Sequence, residues 1–161
     1  MQITYSPIGI IHSPFTELSG MPIQPTSESS AEGYLEIHPE FIDGLKDLDS
    51  FSHIYLIYHL HEVHQGKLQI TPFLDKEPHG IFATRAPSRP NPIGLSLVKL
   101  IRIEGNLIYV DEIDILNSTP LLDIKPYIPQ FENTNEIRVG WLKKVREEIK
   151  TKNSDTRFLE K

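Results

Sequence analysis

Short apolar runs, each closed off by glycine, proline, serine or asparagine, follow one another from Ile8 to Ile124, and that rhythm points to a small all-β domain. Ile8 to His12 is rich in β-branched residues and stops at Ser13-Pro14. Gly33 to Ile37 follows a stretch, Ser19 to Ser30, whose Gly, Pro, Ser and Thr content is that of a loop. Phe51 to Leu60 is the strongest strand. Alternation puts His53, Tyr55, Ile57, His59 and His61 on one face and Ile54, Leu56, Tyr58 and Leu60 on the other, so both faces are expected to be covered. Ile81 to Thr84, Ile93 to Glu104 and Leu107 to Asp111 read as further strands, the last two joined by the hairpin turn Gly105-Asn106. Ile113 to Leu116 and Leu121 to Ile124 add two shorter runs.

Helical signals are few. His38 to Leu48 has Pro39 where a first turn tolerates it and Phe41, Ile42, Leu45 and Leu48 at helical spacing, with Gly44 keeping the element short. A longer C-terminal helix is expected from the stripe Ile137, Trp141, Leu142, Val145 and Ile149, with Lys143, Lys144, Arg146 and Lys150 around it. Many short strands and one long helix favour a barrel or sandwich over a βαβ sheet.

Composition narrows the chemistry. The 161 residues fit one domain and include no cysteine, which removes disulfides, thiolate nucleophiles and cysteine-type zinc sites. No signal-peptide pattern opens the chain, and no apolar run approaches the roughly 18 residues of a membrane helix, so a soluble, cytoplasmic protein without membrane partners is expected. Asp and Glu number 22 against 16 Lys and Arg, a formal charge of −6, which argues against nonspecific binding to long nucleic acid such as DNA but leaves a local basic patch open.

Three stretches carry polar or stiff residues where a plain barrel would use short turns. In Ala83-Thr-Arg-Ala-Pro-Ser-Arg-Pro-Asn-Pro-Ile-Gly94, three prolines bias their neighbours toward extended conformations. Arg85 and Arg89 are thereby held on a pre-ordered loop, ready for a carboxylate or phosphate; a connection with two solvated arginines fits equally well. Asp123, Lys125 and Tyr127 share one side of an extended strand, giving either a reactive set or an ion pair beside an interfacial tyrosine. The row His53, His59, His61 could hold a metal, but half-buried histidines with hydrogen-bond partners are the better account, and no metal is expected. No Gly-x-Gly-x-x-Gly, P-loop or Gly-x-Ser-x-Gly elbow occurs.

Four segments, in order, carry a resemblance: Ile8-Gly-Ile-Ile-His-Ser-Pro-Phe15; Gly44-Leu-Lys-Asp-Leu48 leading into Phe51-Ser-His53; Phe82-Ala-Thr-Arg85 with Arg89-Pro-Asn-Pro-Ile-Gly-Leu-Ser96; and Thr119-Pro-Leu-Leu-Asp-Ile-Lys-Pro-Tyr127. Together they resemble the successive signatures of the TsaA-like, or TrmO, family across roughly residues 5–130. The resemblance implies a mainly β fold, a small antiparallel β-barrel over residues 1–132, followed by a C-terminal amphipathic helix and polar tail over 133–161. It also implies a homodimer that binds S-adenosyl-L-methionine near the subunit interface and methylates N6 of the threonylcarbamoyl-modified adenosine beside the tRNA anticodon. By position, the cofactor pocket is expected to draw on Gln24, Pro25, Thr26, His61, Glu62, Arg85, Leu97, Ile113, Asp114, Ile115 and Leu116. The catalytic, substrate-handling set is Asp123, Lys125 and Tyr127, with Arg89 near RNA phosphate. The alternatives are a small-molecule methyltransferase or a non-catalytic cofactor-binding module. Members commonly read Asp-Gly where this chain has Asn117-Ser118, at a turn where glycine would make positive φ easy.

Overall fold

The computed structural model describes residues 1–17, 31–73, 75–132, 134 and 136–144. Strands form at β1 (Gly9–His12), β2 (Ala31–Ile37), β3 (His53–His59), β4 (Gln69–Ile70), β5 (His79–Gly80), β6 (Ile93–Glu104), β7 (Leu107–Ile113) and β8 (Thr119–Pro126). Six of them close an antiparallel barrel in the order β1, β2, β7, β6, β3, β8, with β8 returning to β1; β4 and β5 pair separately.

Period-two patterning decides which side chains fill the barrel. In β3, Ile54, Leu56 and Tyr58 are buried while the intervening residues are half-buried, so the two-faced cover read from the sequence is complete on one face and partial on the other. Ile11, Leu35, Ile54, Leu56, Ile108 and Leu121 meet at the centre with no exposed surface. Each such side chain contributes roughly 1.5–3 kcal/mol by leaving water. Register breaks between Ile57 and Tyr58 and between Leu100 and Arg102 add the local twist that closure requires. The β6–β7 turn forms as its residues predict: Gly105 takes φ 62°, and Asn106 bonds Ile37 through its backbone and its side-chain amide.

Four expectations need correction. Ile81 to Thr84 is not a strand but a 3₁₀ turn over Ile81–Ala83, because both the backbone N–H and the hydroxyl of Thr84 turn back to the Ile81 carbonyl, at 3.1 and 2.9 Å. His38 to Leu48 is not an α-helix but the 3₁₀ segments Pro39–Leu45 and Leu48–Ser50, separated where Asp47 adopts φ 65°. Leu45 and Leu48 still pack on the core, whereas Phe41 and Ile42 are exposed. Ile113 closes β7, and Asp114 to Leu116 leave the sheet instead of forming a strand of their own. Of the expected C-terminal helix, Gly140–Lys144 is a 3₁₀ turn, and the later stripe residues Val145 and Ile149 lie outside the described residues. Trp141 anchors that turn, donating its indole N–H to the Ala83 carbonyl at 2.8 Å and stacking on His79 at 4.5 Å.

Candidate functional site at one mouth of the barrel

Antiparallel pairing brings the ends of β1, β3 and β7 and the beginnings of β2, β6 and β8 to the same mouth. His61 and Glu62 follow β3, Arg85 and Arg89 precede β6, and Asp114 to Leu116 join β7 to β8. Residues scattered over more than fifty positions therefore converge through topology alone. Gln24, Pro25 and Thr26 belong to the β1–β2 connection and lie outside the described residues.

A buried polar chain closes this mouth. Ser96 sits on the inward row of β6, is 2% exposed, and donates to Asp114 Oδ1 at 2.6 Å. The buried Tyr58 hydroxyl lies 3.0 Å from Ser96 Oγ. Gly94 makes room for it: a Cβ there would fall 2.1 Å from the Tyr58 ring. Asp114 is half-exposed as a residue, yet its carboxyl group lies among packed atoms. That burial raises its pKa from 3.8 to about 6, against the opposing pull of the Ser96 hydrogen bond and the Arg85 charge. Burial likewise pushes the Tyr58 hydroxyl far up, so it remains a neutral donor. An exposed guanidinium beside a buried carboxylate can hold a zwitterion, with Arg85 facing its carboxylate and Asp114 its cation.

The surrounding loops are braced by their own polar groups. Arg89 Nη1 donates to the carbonyls of Thr84 at 2.9 Å and of Ile81 and Ala86 at 3.3 Å, so part of this guanidinium ties its own loop together. Thr119 donates to the Leu116 carbonyl at 2.7 Å, which leaves His61 Nδ1 as the donor across the 3.3 Å contact to Thr119. His61 Nε2 stands 3.4 Å from Glu62. Ile113 and Ile115 are core side chains, so what they can offer a ligand is backbone, and Ser13 Oγ already takes the Ile115 carbonyl at 2.5 Å. Ser118 adopts φ 64°, the conformation that glycine would take more easily.

Leu97 and the set Asp123, Lys125, Tyr127 occupy the outer wall. Register aligns Leu97, Tyr55 and Lys125 across β6, β3 and β8. Lys125 meets Asp123 at 2.9 Å, an exposed pair worth less than about 1 kcal/mol. The Tyr127 ring packs edge-on against Tyr55, whose hydroxyl pKa is raised by burial and then by Glu132, its hydrogen-bond acceptor. Arg85 acts on both Tyr55 and Asp114, linking this wall to the mouth. Ile93 and Leu95 lie exposed on the same outward row of β6 as Leu97, and Phe82 and Phe131 are exposed as well. The histidine row resolves into separate contacts, His53 with Ser52 at 2.9 Å and His61 with Thr119. Among the described residues no group of three or more His, Asp or Glu could hold a metal.

Sequence reasoning missed Tyr58, Ser96 and Thr119. The available signal was a hydroxyl on the inward row of β6, Gly94-x-Ser96-x-Val98, where an apolar residue is the default.

The family model described as the tRNA-methyltransferase O N-terminal domain matches residues 10–133. A probable S-adenosyl-L-methionine-binding protein of Pyrococcus abyssi is 49% identical over 158 residues, covering 98% of this chain and 86% of that protein. The tRNA (adenine(37)-N6)-methyltransferase of Rattus norvegicus is 36% identical over 139 residues, 81% of this chain but 32% of that enzyme. The crystal structure of TrmO from Pseudomonas aeruginosa superposes with a TM-score of 0.73 at 37% identity, over 88% of this chain and 63% of that one.

Proposed function

The chain belongs to the tRNA-methyltransferase O N-terminal domain family, and on that premise we propose that it is a methyltransferase that uses S-adenosyl-L-methionine to methylate N6 of the threonylcarbamoyl-modified adenosine beside the tRNA anticodon. The observation that carries the proposal is the buried Asp114 carboxyl, held by Ser96 and acted on by the Arg85 charge, at the mouth where His61, Glu62, Arg85 and the 113–116 segment converge. Arg85 and Asp114 fit a ligand with a carboxylate and two cationic groups. The cofactor, when bound, supplies an activated methyl carbon, so the protein's task is alignment in a site shielded from water.

In this reading Arg85 holds the methionyl carboxylate, Asp114 faces the amine or sulfonium, and Gln24, Pro25, Thr26, His61, Glu62 and the 113–116 backbone receive the rest. Leu97 extends the apolar wall beside them. Two copies associate through the wall of Phe82, Ile93, Leu95 and Phe131, and that contact brings Asp123, Lys125 and Tyr127 to the acceptor adenosine. The exposure of Ile93 and Leu95 on the outward row of β6, together with exposed Phe82 and Phe131, supports this homodimer. Arg89, whose Nη1 already braces its loop, meets RNA phosphate with the remainder of its guanidinium. The setting is the cytoplasm; among the described residues no helix is long and apolar enough to cross a membrane.

The test is direct. Purified protein, S-adenosyl-L-methionine and tRNA carrying the threonylcarbamoyl group should yield the N6-methylated nucleoside by mass spectrometry, and Arg85→Ala should weaken cofactor binding by about tenfold or more in calorimetry. An Arg85→Ala protein that binds as well as the parent removes the site assignment. Cofactor binding without RNA methylation would favour a small-molecule acceptor, a second reading supported by the net charge of −6.

A further inference from the structure

We propose that Ser96 and Tyr58 are positioning residues for Asp114: their hydrogen-bond chain fixes Oδ1 and favours the charged carboxylate, which then faces the cationic end of a methyl donor. The proposal rests on the cofactor reading above but concerns two residues outside it.

The chain has a direction. Ser96 has one hydroxyl hydrogen, and the 2.6 Å contact to Asp114 Oδ1 uses it while the carboxylate is ionised. Tyr58 must then donate its own hydrogen to Ser96 Oγ across 3.0 Å, so the order is Tyr58 to Ser96 to Asp114. Donors in series polarise one another, and the last acceptor gains most when it is charged. This opposes the burial that drives Asp114 toward its neutral form, and Arg85 works in the same direction.

Packing alone does not account for this arrangement. A serine hydroxyl on the inward row of β6 stabilises nothing unless it is paired, because burying it unpaired forfeits its bonds to water without return. Gly94 gives up a side chain on the same row, and the edge of the Tyr58 ring fills the place its Cβ would take. Two positions of β6 are thus shaped around one phenol and one carboxylate. Among the described residues Arg85 is the titratable group that acts on Asp114, and Asp114 in turn acts on Tyr58, with His61 and Glu62 at the same mouth beside Thr119 and each other.

The measurement is S-adenosyl-L-methionine affinity by calorimetry from pH 5 to 8.5 for the parent, Ser96→Ala and Tyr58→Phe, together with the carboxyl ¹³C titration of Asp114 in the unliganded proteins. Parent affinity should fall as acid protonates Asp114. In Ser96→Ala that fall should begin about one pH unit higher, with affinity at pH 6.5 reduced about tenfold, the equivalent of one hydrogen bond to a charged group. Tyr58→Phe should shift in the same direction by less. A merely structural role would weaken binding equally at every pH, and that result overturns the proposal. Unchanged Asp114 ¹³C midpoints in both variants also overturn it, in a readout that His61 and Glu62 do not enter. Absence of heat from the parent at every pH refutes the cofactor reading itself, and the proposed role toward a methyl donor with it.

Discussion

Replacing Asp114 with asparagine should stabilise the fold while disabling the site. In the folded protein the carboxyl titrates at about 6 against 3.8 in the open chain. At 1.36 kcal/mol per pH unit, keeping it ionised at pH 7 therefore costs at most about 3 kcal/mol. The sign follows from the raised value: between pH 3.8 and 6 the folded state binds more protons than the unfolded state, so this penalty vanishes in acid and is complete above the folded pKa. Asparagine keeps the shape and can still accept from Ser96 through its amide oxygen. Thermal melts at pH 7 should thus place Asp114→Asn higher by several degrees, given roughly 2–4 °C per kcal/mol for a chain of this size. By pH 4 the gap should close, and cofactor affinity should be lost throughout. Parallel melting curves for the two proteins from pH 4 to 8 would refute the claim that Asp114 is ionised at a cost to the fold.

Ser118→Gly should add about 0.5–1 kcal/mol, since Ser118 holds φ 64° and release of that strain exceeds the extra chain entropy of glycine; chemical denaturation would show it as a higher midpoint with unchanged slope. The small loss is the 3.3 Å contact from Asn117 to the Ser118 hydroxyl. Gly94→Ala should destabilise by about 1–3 kcal/mol, because the new methyl meets the Tyr58 ring at a buried position. Urea unfolding measures this, and a midpoint equal to the parent's would show that the ring has another place to go.

Much of the barrel is legible in the residues. Ile93 to Glu104 forms as read, and the Gly105-Asn106 turn fixes its pairing with β7. Elements with weak local signals are not. β4 and β5 are two residues each, too short for any periodicity to register. Ile81 to Thr84 has strand-like composition, but local bonds from Thr84 override it. In the site, Asp123 and Lys125 were expected on one side and pair at 2.9 Å. The effect of the Arg85 charge on Asp114 depends on strand order, which no local pattern encodes; the resemblance assigns both to one pocket where spacing could not. Ser96 escaped notice because one serine in an alternating strand reads as ordinary until its neighbours across the barrel are known.

Among the described residues the ring of six strands returns on itself, so along its paired registers each strand is flanked on both sides, and only overhanging ends such as that of β6 beyond Lys99 are left for another polypeptide to extend. Whatever docks against the paired walls, protein or RNA, meets side chains first. Affinity on that surface can therefore be retuned one residue at a time, while the hydrogen-bonded framework beneath is left unaltered.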